Sequence, residues 1–332
     1  MINVCPACFK LNENTFCKKC RFELFDGKKI SHILPFSKPF YDEIKFSTKN
    51  KISISGVQTK HSLKIEGAQL ILTDTDGEFI LKPIPNGVFL NRSSVPANEH
   101  LTMQIAKKVF KINTAKNAIV FFNDETPAYL VKRFDRLPNG VKILQEDFAQ
   151  ISNRSAKING ENYKYDFSYE EIAELIKKHV ATYKIDLEQF FEIVIFNYLI
   201  GNGDAHLKNF SLFREPKFGE YRLTPAYDLL NTNLHIANEL DTALELFKDG
   251  YETEGYKFNG KFTKDDFSEF GTKIGIKESR VEKILNNFVS KTSEIENLIK
   301  LSFLSDELKV QYFEIVKEKL KRLNYSFSND IV

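Results

Sequence analysis

The segment Asn202-Gly203-Asp204-Ala205-His206-Leu207-Lys208-Asn209 brings together the residue types that phosphoryl transfer needs. Asp204 and Asn209 are five positions apart. At that spacing a carboxylate can accept a hydroxyl proton while an amide oxygen holds Mg²⁺. His206 adds a candidate acid or base, and Lys208 a cation for phosphate. The same residues would also serve a capped turn, with Asp and Asn satisfying backbone N–H groups.

Three further positions carry chemistry in the same direction. Asp228, in Pro225-Ala226-Tyr227-Asp228-Leu229-Leu230, lies 19 residues beyond Asn209 and could be a second Mg²⁺ ligand, or a helix N-cap. Lys82 ends the apolar run Phe79-Ile80-Leu81. A lysine there either meets phosphates and pairs with Glu99 of the following helix, or faces water from an edge strand. Ser53-Ile54-Ser55-Gly56-Val57-Gln58-Thr59-Lys60 connects strands and could lie over phosphates, or be a plain hairpin turn, since the Walker pattern is absent.

The elements that would position these groups fall into two halves. Short alternating runs (Leu63/Ile65, Leu70–Leu72, Phe79–Leu81, Ile119–Phe122, Tyr129–Phe134) predict strands, with one helix opening at Pro96. Beyond residue 150 the pattern is helical. Tyr169–Val180 is amphipathic, and Asp186 reads as the cap of a run, Leu187–Ile200, apolar on almost every face and therefore buried. A short hairpin over 209–213 and 221–224 and a Lys/Glu-rich helical tail from about 264 complete the chain. A sheet-rich half followed by a helix-rich half predicts a bilobal α+β fold with a cleft between the lobes.

All four cysteines lie in the first 20 residues, as Cys5-Pro6-Ala7-Cys8, an eight-residue spacer and Cys17-Lys18-Lys19-Cys20. Two CxxC pairs suit tetrahedral Zn²⁺ on two facing knuckles, a structural site because all four ligands are protein thiolates. Rubredoxin-like iron and a redox dithiol pair are the alternatives. The expected organisation is a zinc-binding unit over 1–25, a linker and lead-in strand over 26–50, a kinase-like N-lobe and hinge over 51–150, and a helical C-lobe over 151–332.

Composition removes several classes. Lys+Arg 47 against Asp+Glu 45 leaves a net charge of +2, so no global field calls for nucleic acid or an anionic membrane. No run reaches the ~18 apolar residues of a membrane helix, and the N-terminus lacks the pattern of a signal peptide. The expected compartment is the cytoplasm. The 30 Phe with no Trp read as core.

The order of the signals is that of a protein kinase, and seven motifs between about 50 and 320 resemble the HipA kinase family: residues 53–60, Leu81-Lys82-Pro83, Asn98-Glu99-His100, Lys132-Arg133-Phe134-Asp135-Arg136, Gln145–Gln150, Gly203–Asn209 and Tyr227–Leu230. The resemblance implies a HipA-type bilobal fold and a serine/threonine kinase using ATP and Mg²⁺. Asp204 would be the catalytic base, Asn209 and Asp228 Mg²⁺ ligands, and Lys82 a phosphate contact. Lys132-Arg133-Phe134 would be the adenine hinge with Gln145 beside it. Ser55, Gly56, Val57, Gln58 and Tyr227 would line the nucleotide, and Ser53 and Ser55 would be autophosphorylated. The implied role is the toxin of a toxin–antitoxin system, with a helix-turn-helix antitoxin as partner, an aminoacyl-tRNA synthetase as substrate, and nucleic acid met only through the antitoxin. Compared with the long form of the family, the N-terminal subdomain is absent or supplied by a small separate protein. Outside this resemblance stand a small-molecule phosphotransferase and a non-catalytic, pseudokinase-like binding module.

Overall fold

The computed structural model describes residues 2–47, 60–137 and 140–327, with the side chains of 44–47 excepted. Within it the two expected halves form a five-stranded sheet with one long helix, followed by a helical lobe.

In the N-terminal half, α1 (Lys18–Phe25) carries Cys20, and α2 (Lys38–Ser47) follows. Strands β1 (His61–Glu66), β2 (Gln69–Leu72) and β3 (Phe79–Pro83) precede α3 (Val95–Lys108), then β4 (Asn117–Phe121) and β5 (Pro127–Lys132). The sheet is antiparallel in the order β2-β1-β3-β5-β4, so β3 is its central strand. Its two faces follow the two-residue strand period. Leu63, Phe79, Leu81, Val120 and Leu130 pack with Phe16, Leu24, Phe25 and Cys17 of the cysteine unit. The alternate residues Ile119, Tyr129 and Val131 join the core that contains α3. A unit of 25 residues cannot bury enough surface alone, and here it shares the core of the sheet. The lead-in strand expected over 26–50 is instead α2, preceded by an extended stretch that covers the edge strand β4. Ile33 bridges Phe121 in parallel, Phe121 N donates to His32 O at 2.9 Å, and Ile119 N donates to Pro6 O at 2.9 Å. Covering removes the exposed edge that would otherwise template aggregation.

The C-terminal half opens with β6 (Gln145–Asp147) and the single turns α4 (Phe148–Ile151) and α5 (Ala156–Asn159). Then come α6 (Tyr169–His179), started by a Ser168/Glu171 capping box, and α7 (Tyr183–Leu199). Strands β7 (Ser211–Arg214) and β8 (Tyr221–Leu223) form the expected hairpin, with β6 added on the β7 side. Helices α8 (Glu254–Asn259), α9 (Lys264–Lys273), α10 (Glu278–Val289), α11 (Thr292–Leu301) and α12 (Asp306–Asn324) build the rest. Eleven residues of α7 are buried, as its all-round apolar sequence requires.

Asp186 does not cap that run. The helix starts at Tyr183 behind Thr182, and Asp186 sits fully buried inside it. Its carboxylate accepts from Arg222 Nε at 2.9 Å and from Leu223 N at 2.7 Å, fastening β8 to α7. Asp186→Ala would strand both donors, so it is expected to lower unfolding free energy by about 3 kcal/mol, read as an earlier urea midpoint at unchanged slope.

Candidate functional site

Lys82 lies on the central strand opposite Tyr129, so it is enclosed on both sides. The water-facing edge-strand alternative fails because β3 is not an edge. Lys82 Nζ is 2.5 Å from Glu99 Oε1 and contacts Asp228 Oδ1 as well. Burial by itself would lower the Lys82 pKa, but the Asp228 and Glu99 carboxylates outweigh it and hold the ammonium charged. Lys60 Nζ approaches Asp228 Oδ2 at 3.4 Å. Burial pushes the Asp228 carboxyl up, and Lys60 and Lys82 together bring it well below the usual range. Asp228 adopts a left-handed backbone, φ 56°, at a non-glycine residue, and no helix begins there. Strain of that kind persists only where the surroundings enforce it.

Just past the end of α7, Gly201 lies in the left-handed region, φ 69°, where a Cβ would meet Asn233 Nδ2 at 2.7 Å. The loop behind it is held from both sides. Asn202 Nδ2 donates to Asn197 Oδ1 at 2.8 Å, Asp204 N to Asn202 Oδ1 at 3.2 Å, and Gly203 N to Thr232 Oγ1 at 2.8 Å. Asp204 is left partly exposed, with Oδ1 accepting from the Tyr165 hydroxyl at 2.6 Å. Asn209 Oδ1 is buried without a hydrogen-bond partner and lines a pocket with Asp228, Asn202 and Tyr227. An orphaned amide oxygen beside a carboxylate is the donor set that a hard cation such as Mg²⁺ takes up.

Other predicted residues are placed differently. His206 is buried with both ring nitrogens unpaired, and its Nε2 is 3.8 Å from Asp204 Oδ1, beyond hydrogen-bond range. Lys208 pairs with Asp147 Oδ2 at 2.7 Å. Lys132 points to the opposite face of the sheet from Lys82 and reaches Asp26 Oδ2 at 3.1 Å. Arg133 is bound in a fork to Asp135, Nη2 to Oδ2 at 2.6 Å, and its N–H donates to Glu78 O at 2.8 Å. Phe134 lies against Tyr227, ring centroids 5.8 Å apart, and the buried Tyr227 hydroxyl contacts Ser211 Oγ and donates to Lys208 O at 2.9 Å. Gln145 pairs through β6 with Phe213. Ser53, Ser55, Gly56, Val57 and Gln58 lie outside the described residues.

Sequence reasoning did not single out Lys60, Tyr165 or Asp147 as site residues. Lys60 and Asp147 sit inside motifs already noted, Lys60 at the end of 53–60 and Asp147 within Gln145–Gln150, and their charge was the available signal. Tyr165 lies in an aperiodic stretch 39 residues before Asp204, where no local pattern marks it.

The four cysteine Sγ atoms lie within 4.8 Å of one another, with Cys8 and Cys17 at 3.8 Å. Tetrahedral Zn–S bonds of about 2.3 Å separate sulfurs by about 3.8 Å, and a disulfide would need about 2.05 Å, so the cluster fits a metal. Cys5–Cys8 forms one knuckle, closed by Phe9 N to Cys5 O at 2.9 Å with Phe9 at φ 58°. The second pair is not a facing knuckle. Cys17 caps α1 and Cys20 lies in its first turn.

A mainly antiparallel N-lobe with a buried Lys–Glu pair, set on a helical lobe carrying an Asp…Asn loop, defines the kinase-like fold class. A family model described as "HipA-like C-terminal domain" matches residues 52–295, and the chain belongs to that family. A Haemophilus influenzae protein named "Putative kinase" is 32% identical over 296 residues, covering 85% of this chain and 84% of its own length. The serine/threonine-protein kinase toxin HipA of Shewanella oneidensis is 26% identical over 214 residues, covering 60% of this chain and 47% of the toxin. Among solved structures, Shewanella oneidensis HipA, from its complex with HipB and operator DNA, matches with TM-score 0.61 at 21% identity over 88% of this chain and 72% of its own. The Helicobacter pylori proinflammatory kinase CtkA matches with TM-score 0.54 at 14% identity over 81% and 96%. These two likenesses show the fold. The family is one of kinases, which implies ATP and Mg²⁺. No helix among the described residues is long and apolar enough to cross a membrane.

Two measurements follow from this geometry. Burial pushes His206 down to about 4, so it is neutral at pH 7 while its unfolded counterpart titrates near 6.5. The unfolded chain then binds the extra proton between those values, and stability must fall as pH drops from 6.5 toward 4. His206→Gln should flatten that fall by roughly 3 kcal/mol, read from denaturation midpoints across the range. Elemental analysis should find one zinc per chain, and a metal-free yet folded chain with four reactive thiols would overturn the structural-site reading.

Proposed function

We propose that the protein is an ATP- and Mg²⁺-dependent protein serine/threonine kinase acting as the toxin of a toxin–antitoxin pair. The observation that carries this reading is the buried Lys82 held between Glu99 and Asp228, one carboxylate from each lobe, in the cleft that also holds the Asp204…Asn209 loop. Lys82 and Lys60 would bind nucleotide phosphates, and Asn209 and Asp228 would hold Mg²⁺, whose charge neutralises the phosphates when bound. The acceptor oxygen would bond to the γ-phosphorus as the bond to the bridging oxygen of ADP breaks, and its proton would pass to Asp204. The Tyr165 hydroxyl occupies that carboxylate now, so an acceptor hydroxyl would take its place. Burial leaves His206 neutral and unpaired, so it supports the loop by packing. Because Lys208 is spent on Asp147, it orders β6 against the loop and is not a free phosphate ligand.

Ser53 and Ser55 are the proposed autophosphorylation sites, since a phosphate dianion beside the nucleotide phosphates would repel them. The proposed target is a protein of the aminoacyl-tRNA synthetase class. The proposed partners are an antitoxin of the HipB type, supported by the Shewanella oneidensis complex, and a small N-subdomain-like protein. The cytoplasm is the compartment this role requires.

Intact mass after incubation with ATP and Mg²⁺ tests the reading. Wild type is expected to gain one or two phosphates on Ser53 or Ser55, and Asp204→Asn to lose transfer by about 10²–10⁴-fold while remaining folded. Wild-type transfer in Asp204→Asn would sink the base assignment. Transfer to a small molecule alone, or no transfer from a chain whose starting mass carries no phosphate, would favour the phosphotransferase or binding-module reading.

A further inference from the structure

The cysteine unit touches more than the sheet. Its first CxxC presents three successive backbone carbonyls outward. Pro6 O accepts from Ile119 N on β4 at 2.9 Å. Ala7 O faces His100 Nε2 at 3.4 Å, and Cys8 O accepts from Lys108 Nζ, so the carbonyls reach both the middle and the end of α3. Phe9, next in sequence, sets its ring edge-on to His100 at 4.7 Å, and Glu23 of α1 pairs with Lys107 at 2.7 Å.

On α3 the three neighbours Asn98, Glu99 and His100 are all buried and, at about 100° of helix rotation each, aim at three different bodies. Asn98 Nδ2 donates to Asn231 O at 2.8 Å, three residues beyond Asp228 in the C-lobe. Glu99 takes Lys82 on the sheet. His100 takes the cysteine turn. Thr102 adds a second C-lobe tie, Oγ1 to the Tyr312 hydroxyl at 2.9 Å. Helix α3 is thus pinned to the C-lobe from one side and to the cysteine turn from the other. It also packs on the sheet directly, through the core it shares with Ile119, Tyr129 and Val131, so the turn adds a further hold on its position. Inside the unit, the backbone support for the thiol cluster includes Cys17 N to Cys5 Sγ at 3.3 Å, and a metal on the four thiolates would fix the remaining freedom of the turn.

We propose that the four-cysteine unit is a metal-set clamp on α3 that positions Glu99 against Lys82, so that metal occupancy of the cysteines and nucleotide affinity of the cleft are linked. This rests on the kinase reading of the cleft. His100 and Lys108 are positioning residues: they touch neither nucleotide nor acceptor and act through α3. Because coupling between two binding sites is reciprocal in affinity, the nucleotide must tighten metal binding by the same factor as the metal tightens nucleotide binding.

The test uses the full chain loaded with zinc. Zinc affinity is read by equilibrium competition with a chromophoric chelator, with and without a non-hydrolysable ATP analogue plus Mg²⁺, and hydrogen exchange is followed in α3 and α7 before and after zinc removal. The analogue is expected to raise zinc affinity about tenfold, within the usual range of coupling. Lys108→Met, with all four cysteines intact, should still bind one zinc but lose most of that gain. Zinc removal should raise exchange in α3 while α7 stays protected. Analogue binding with unchanged zinc affinity overturns the clamp and leaves the kinase reading standing. Equal loss of protection in α3 and α7 makes the metal a general folding element and also overturns it. Failure of the zinc-loaded chain to bind the analogue overturns the kinase reading and the linkage together.

Discussion

A lysine ammonium buried on the central strand of a sheet is tolerable only while carboxylates meet it, because desolvating an unpaired ion costs several kcal/mol. Lys82 meets two, Glu99 from α3 and Asp228 from the C-lobe. That single requirement ties together three separately built parts: the register of β3, the seat of α3 and the strained backbone of Asp228. Lys60 brings a second positive charge to the same carboxylate, so two ammonium and two carboxylate groups balance in the cleft. Under the kinase reading proposed above, Lys82 and Lys60 would exchange from Asp228 to incoming phosphates while Mg²⁺ took up the freed carboxylate.

The C-lobe supplies the rigidity that such an exchange needs. Helix α7 is packed on nearly every face, and aromatic rings fill the space around it: Phe110 lies edge-on to Phe196 at 5.7 Å and stacked on Phe288 at 4.3 Å. Edge and offset ring contacts of this kind add to plain area burial. The chain's 30 Phe supply most of these rings. The loop from Gly201 to Asn209 inherits this rigidity through side-chain bonds to Asn197 and Thr232.

The N-lobe solves a different problem. A five-stranded sheet has two edges and two faces to cover, and one long helix covers only one face. The cysteine unit and the segment before β1 take the second face and the β4 edge. A short four-cysteine unit that would have no core alone therefore becomes part of the wall behind Lys82, and what stabilises the unit also stabilises the cleft.

Local patterns were legible from the residues alone. The Asp204…Asn209 spacing, the two CxxC pairs, the strand periodicity around Lys82, the proline that opens α3 and the all-apolar α7 are short-range signals. The HipA likeness rested on the same short motifs. What lay beyond sequence was every pairing set by the approach of distant segments. Tyr165 on Asp204, Lys208 on Asp147, Lys132 turned toward Asp26, Asp186 serving β8 and not a helix start, and α2 in place of a strand all depend on register and packing across 36 to 106 residues or on burial of one element by another. A side chain's partner is chosen by which face its strand or helix buries and what is brought opposite it, and only the assembled tertiary structure decides that.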